Sequence, residues 1–264
     1  MSRSEPFRLL FVADVVGRPG REAVAAILPQ LKDRLQPDLT IINGENSAGG
    51  FGLTAATVDE LRKAGGDVIT TGNHVFDQRE FMTQLPELER VLRPHNYPPG
   101  APGTGVCALI AGEERCLVVN LVGRVFMNHL DDPFRTADAV LAEHPEHKIV
   151  VVDWHCEATS EKIALGWYLD GRVSAVLGTH THVPTADERV LPNGTAYCSD
   201  VGMVGPRDGV LGMDREPVLA RFLTGVPQRW RIADGPVTFN SVFVSIDRLT
   251  GRSTAIQRID QLHA

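Results

Sequence analysis

The chain has 264 residues, 43% hydrophobic and 22% charged, the balance of an ordinary globular protein long enough to bury a full core. A net charge of -7 leaves no basic stripe to track a nucleic-acid backbone, so stable nucleic-acid binding is not expected. A small phosphorylated substrate remains compatible where bound cations supply positive charge locally. No apolar run approaches the ~20 residues that span a bilayer, and Leu9–Val12 is too short for a secretory signal before Asp14 breaks it. Cys107, Cys116, Cys156 and Cys198 lack C-x-x-C pairing, which points to a reducing cytoplasm.

Taken in order, Arg8–Ala13 reads as a buried strand, followed by Gly17-Arg18-Pro19-Gly20 and a helix over Arg21–Leu35 that Pro29 should kink or split. Leu39–Ile42 is a second strand, Thr54 caps a helix to about Lys63, and Asp67–Thr70 is a third strand. This alternation predicts βαβ units and a mainly parallel sheet. Val106–Ile110 and Cys116–Val122 flank Gly112-Glu113-Glu114 as a hairpin, and Asp132-Pro133 opens a helix to about Ala142. Lys148–Val152 is a strand, Thr159–Leu169 a helix, and Val173–Leu177 the next strand. Hairpins follow: Arg189–Leu191 with Ala196–Cys198, then Val237–Ile246 with Ser253–Ile259. Between them the glycine-rich stretch Asp200–Asp214 is a candidate rim, lid or interface loop. Without repeats or linkers, residues 1–264 read as one domain of two packed sheets with outer helices.

Open α/β sheets bind ligands beyond the carboxyl ends of their strands. Those ends carry Asp14, then Asn43-Gly44-Glu45-Asn46, then Gly72-Asn73-His74, then Asp153-Trp154-His155, and finally Gly178-Thr179-His180-Thr181-His182. In an extended segment the last two imidazoles would point to one side. Carboxylates, amides and imidazoles without thiolate suit Mn, Fe or Zn. So many ligands are too many for one ion and suit a pair ~3.5–4 Å apart that shares a carboxylate, for which Glu45 is the candidate bridge. Arg18, at a helix start beside two glycines, is a candidate phosphate contact. His95, His129, His144, His147 and His263 fall outside this pattern and read as surface or packing residues. Trp154, Trp167 and Trp230 read as core or interface rather than base-stacking platforms.

The order D-x-V, N-G-E-N, G-N-H-x-x-D, H and G-T-H-T-H, from Asp14 to His182, resembles the calcineurin-type metallophosphoesterases, and more narrowly their YmdB-like branch of bacterial cyclic-nucleotide phosphodiesterases. The stretches Asp131–Phe134 and Glu157–Lys162 are similar to that branch as well. The broader superfamily has D-x-H and G-D where this chain has Val16 and Glu45, so Asn46 would replace the missing imidazole. The resemblance implies a four-layer α/β/β/α sandwich of two mixed sheets flanked by helices. It implies Asp14, Asn46 and His182 on one metal, Asn73, His155 and His180 on the other, and Glu45 on both. The ions would be Fe or Mn, with Zn also accepted by this ligand set. His74 would donate a proton to the leaving oxygen, an assignment that suits an imidazole near neutral pH, and Asp77 is a candidate to orient it. The reaction implied is hydrolysis of a small cyclic nucleotide, a 2′,3′-cyclic one opening to a 3′-phosphate by attack of a hydroxide held between the ions. A nucleotide phosphomonoesterase and a non-catalytic metal or nucleotide sensor are the alternatives. The proline- and glycine-rich apolar loops make a homodimer or tetramer reasonable.

Overall fold

The computed structural model describes residues 5–264. Its first sheet runs, edge to edge, Ser253–Arg258, Ser241–Ile246, Phe7–Val12, Leu39–Asn43, Val68–Thr70 and Val91–Leu92. The second runs Arg189–Val190, Ala196–Cys198, Ala175–Thr179, Ile149–His155, Glu114–Val122 and Val106–Ala111. Both are mixed: the second has a parallel centre with an antiparallel strand at each edge, and the first is antiparallel at its Ser253–Arg258 end but parallel from Phe7–Val12 through to Val91–Leu92. Because strand side chains alternate between faces, Phe7, Leu9 and Phe11 meet Val118, Val151 and Leu177 in the core between the sheets. Leu10 and Val12 face the opposite way, onto the helices Gly17–Leu35 and Ala55–Lys63. The outer face of the second sheet is covered by Pro133–Glu143 and Thr159–Leu169. Strands buried on both faces must be apolar throughout, which explains runs such as Ile149–Val152. The result is the expected four-layer α/β/β/α arrangement.

A third sheet was not anticipated: Gln261–His263, Val237–Phe239, Met203–Pro206 and Asp14–Val15. It exists because two strands divide. The first strand breaks at Ala13, whose N–H donates to the carbonyl of Asn240 at 3.1 Å, and Asn240 is also where Val237–Ile246 breaks. The single strand expected there is therefore two, of which Ser241–Ile246 pairs with Ser253–Arg258 and Val237–Phe239 pairs with Met203–Pro206. This crossing places Asp14 at the strand-end rim opposite Met203.

The first helix starts at Gly17 rather than Arg21, and Pro29 does not split it. Pro29 faces solvent, while Val24, Leu28 and Leu31 on the other side stay packed in the core. That packing outweighs the one backbone hydrogen bond a proline forfeits. Gly20 allows close approach here, since a Cβ would lie 2.3 Å from the carbonyl oxygen of Val204. Short elements absent from the sequence reading are the helices Arg79–Gln84 and Arg215–Thr224 and the strand Val91–Leu92. The Asp200–Asp214 stretch is not a free lid, because Met203–Pro206 is stitched into the third sheet.

Candidate metal centre

The parallel strands end at one rim, and the side chains that leave them converge there. Glu45 is placed by its own turn, its N–H donating to Asn43 Oδ1 at 3.0 Å. Its Oε1 accepts the His74 N–H at 2.6 Å, while Oε2 faces His155 Nε2 at 2.6 Å. Asp14 behaves alike: Oδ2 accepts the His180 N–H at 3.3 Å and Oδ1 points inward, 3.8 Å from His155 Nδ1. Each buried carboxylate thus has one oxygen tied to a backbone donor and one, Asp14 Oδ1 and Glu45 Oε2, with no aligned donor. Ligand atoms of Asp14, Glu45 and His155 lie within 4.8 Å of one another.

The histidines repeat this division of labour. His155 Nδ1 lies 3.0 Å from Thr179 Oγ1, and that hydroxyl donates to Asp153 Oδ1 at 2.7 Å. With Nδ1 as the donor, the Nε2 lone pair is left facing Asn73 Oδ1 at 3.1 Å and His180 Nδ1 at 3.0 Å. His180 turns its other nitrogen to Glu157 Oε2 at 3.0 Å. His182 Nδ1 bonds the Leu211 carbonyl at 3.1 Å, so that Nε2 meets Asn46 Nδ2 at 3.0 Å. All three imidazoles therefore have an outer partner that fixes tautomer and aim, the usual setting of metal-bound histidine. The side chains fall into two groups, Asn46 with His182 and Asn73 with His155 and His180, with Glu45 and Asp14 beside them.

Several lone pairs aimed at one buried point repel unless a cation lies among them. The cation these side chains can supply themselves is a proton on His155. Burial disfavours its charge, but the Glu45 carboxylate, followed by Asp14 and Asp153, pushes that imidazole upward. Burial likewise opposes ionisation of Glu45, yet contact with His155 outweighs it and holds Glu45 at about 2. Asp14 is raised well above the usual range by burial, and the carboxylates of Asp200, Glu45 and Asp153 add to the rise against His155. Burial and then the charge of His155 lower His180 to about 3, and burial lowers His182, so both keep free lone pairs at neutral pH. Gly72 completes the cradle: a Cβ there would stand 2.1 Å from Glu45 Oε2 and 2.3 Å from His155 Nε2. Orphaned carboxylate oxygens, outward-tied imidazoles and a clear floor fit bound metal ions.

His180 and His182 are not extended, as the sequence suggested, because the strand stops at Thr179 and both adopt positive φ, 100° and 64°. Such backbone persists only where the surroundings impose it. Here the buried Lys162 donates to the Thr179 carbonyl at 2.6 Å and to Asp200 Oδ2 at 3.1 Å, and the same oxygen accepts the Thr181 N–H at 3.0 Å. Sequence reasoning missed Lys162 and Asp200. The signal was present: Lys162 interrupts the buried stripe of Leu165 and Leu169 on its helix, and Asp200 follows a strand end.

His74 sits at the edge of this centre, a third exposed, with Nδ1 2.8 Å from Asp77 Oδ2 and its ring edge-on to Phe51 at 5.1 Å. Arg18 does not reach the site, since its exposed guanidinium pairs with Glu22 one helical turn on, at 2.7 Å. His144 and His147 cluster with Glu146 at the opposite end of Ile149–His155, and His129 is exposed. Trp154 is buried in the core as expected, Trp167 is half exposed, and Trp230 lines the cavity beside His180 and His182.

Comparisons with known proteins agree with this architecture. A model of the YmdB-like protein family matches residues 10–259. The 2′,3′-cyclic-nucleotide 2′-phosphodiesterase of Bacillus subtilis is 49% identical over 253 residues, 96% of each chain. The crystal structure of a hypothetical protein from Thermus thermophilus matches with a TM-score of 0.92 and 48% identity, covering 97% of this chain and 100% of that one. A phosphatase from Mycoplasma pneumoniae matches with a TM-score of 0.93 and 31% identity, covering 98% and 94%. With a family model that spans nearly the whole sequence and a relative identical at about every second position, this chain belongs to the YmdB-like family of metallophosphoesterases.

Proposed function

We propose that the protein is a metal-dependent phosphodiesterase that opens 2′,3′-cyclic nucleotides to 3′-nucleotides. The observation that carries this reading is the convergence of ligand side chains from five strand ends on one rim, where two buried carboxylate oxygens, Asp14 Oδ1 and Glu45 Oε2, have no aligned donor. Asp14, Asn46 and His182 would hold one ion, and Asn73, His155 and His180 the other, with Glu45 shared. Fe or Mn is favoured and Zn is admissible. When bound, the ions neutralise charge on the phosphoryl oxygens and make water a competent nucleophile at neutral pH.

The remaining work falls to the chain. The backbone bond from His74 to Glu45 holds its imidazole beside the phosphoryl position, and Asp77 keeps Nδ1 occupied so that Nε2 faces outward. In that pose His74 protonates O2′ as the P–O2′ bond breaks and the bond from water to phosphorus forms, which leaves the phosphate on O3′. Four unpaired, buried cysteines accord with a reducing compartment, the cytoplasm. Among the described residues no helix is long and apolar enough to cross a membrane. The test is metal analysis of the purified protein together with product assignment from 2′,3′-cyclic AMP. Two ions per chain and 3′-AMP as product are expected. Protein that never retains metal, or that hydrolyses AMP faster than the cyclic ester, refutes the reading. Binding of cyclic nucleotide without turnover would identify a sensor instead.

A further inference from the structure

We infer that the cavity beside this centre is a nucleobase pocket that holds the base by stacking against the wall formed by Phe51, Leu211, Met213, Phe222 and Trp230. The inference rests on the phosphodiesterase reading and names how that substrate is held. The cavity measures about 650 Å³, within the range of small-molecule sites. His74, His180 and His182 form its polar floor. A phosphate anchored at that floor must carry its nucleoside toward the opposite wall, which is almost wholly apolar. Phe222, on the helix Arg215–Thr224, is 81% exposed at the mouth, a large aromatic ring with no aromatic or cationic stacking partner among the described residues. Such apolar surface beside a polar floor marks a binding site rather than leftover core.

The wall is set at a fixed reach from the ligands. Leu211, itself at φ 53°, gives its carbonyl to His182, so one residue both shapes the pocket and aims a metal ligand. The Phe51 loop seats on the same segment: a Cβ on Gly50 would lie 2.8 Å from both Met213 and Ile232. Arg221 stacks over Trp230 at 5.5 Å and is, among the described residues, the one Lys or Arg that lines the cavity. Every base has a π-face, so a wall that stacks without reading base edges accepts all four. The expected spread in kcat/KM among the four nucleoside 2′,3′-cyclic phosphates is about tenfold or less, far below the ~10⁴-fold of sites built on hydrogen-bond readout.

The experiment uses the metal-loaded full chain with 2′,3′-cyclic AMP and with ribose 2′,3′-cyclic phosphate, which lacks the base. Phe222→Ala and Trp230→Ala should each raise KM for 2′,3′-cyclic AMP about fivefold or more, the low end of one base–aromatic stack, with a much smaller rise for the baseless ester. Trp230→Phe should restore most of the loss, and quenching of tryptophan fluorescence by 2′,3′-cyclic AMP should vanish in that variant. Phe222 is exposed, so its removal leaves the fold intact. Equal kcat/KM for the two esters, or unchanged KM in both alanine variants, overturns the base pocket alone. A change in sedimentation mass of Phe222→Ala with no change in KM overturns it too, and marks the mouth as a contact between copies. If fully metallated protein turns over neither ester, the phosphodiesterase reading fails and this inference falls with it.

Discussion

Replacing Asp200 by Asn tests whether the strained His180–His182 turn is held by the ion pair beneath it. Lys162 and Asp200 lie 3.1 Å apart with both side chains 1% exposed. Asp200 also accepts two backbone donors, Thr181 N–H on Oδ2 at 3.0 Å and Gly202 N–H on Oδ1 at 2.9 Å. In Asp200→Asn one acceptor becomes an amide donor that faces either the Thr181 N–H and the Lys162 ammonium, or Gly202 N–H. Removing one partner of a buried pair costs about 3–5 kcal/mol because the remaining charge is uncompensated. The two left-handed histidines hold roughly 1–3 kcal/mol each that the unrestrained turn would release. Relaxation of the turn therefore costs metal affinity more than it costs the fold, and a 10- to 100-fold weaker affinity, about the loss seen when ligand-orienting partners are removed, is expected. Isothermal titration with Mn gives the affinity, and urea denaturation in chelator gives the stability of the metal-free chain. Affinity within about twofold of wild type, less than any removed orienting partner should cost, would show that the turn keeps its shape without the carboxylate and refute the argument, whatever happens to stability.

Three further outcomes follow from the same geometry. Gly72→Ala puts a methyl 2.1 Å from Glu45 Oε2, so it should abolish metal retention while costing the fold only about 1–3 kcal/mol, and full metal content by elemental analysis would refute the cradle. His74→Ala should keep its metals and lose about 10²- to 10⁴-fold in kcat on 2′,3′-cyclic AMP, with Asp77→Asn falling between it and wild type; undiminished turnover would remove His74 from the proton-donor role. Burial raises Cys116 and Cys198 to about 12 and also raises Cys107 and Cys156, so all four stay protonated at pH 8 and should resist Ellman's reagent until the chain is unfolded. Rapid labelling of the native protein at that pH would contradict the burial.

The alternation of apolar runs with capped helices was enough to indicate two packed sheets with outer helices, because strands buried on both faces and helices with one apolar face leave clear periods, whereas the mixed strand order was implied only by the family resemblance. The strand-end residues were legible for the same reason: chemistry concentrated just past Val12, Asn43, Thr70, Val152 and Thr179 has no role in packing a sheet. Pro29 misled, since a propensity rule covers one hydrogen bond and the buried stripe of Val24, Leu28 and Leu31 covers a helix face. Tertiary structure alone decided the break at Asn240 and the third sheet, which depend on a carbonyl meeting Ala13 from more than two hundred residues away. It alone decided that His180 and His182 leave extended backbone and lean on Lys162 and Asp200, and that Trp230 faces a cavity rather than a core. Periodicity and strand-end chemistry are local, so they survive in one dimension. Tautomers, orphaned carboxylate oxygens and cavity walls are set by partners far apart in the chain, and these appear only once the two sheets have packed.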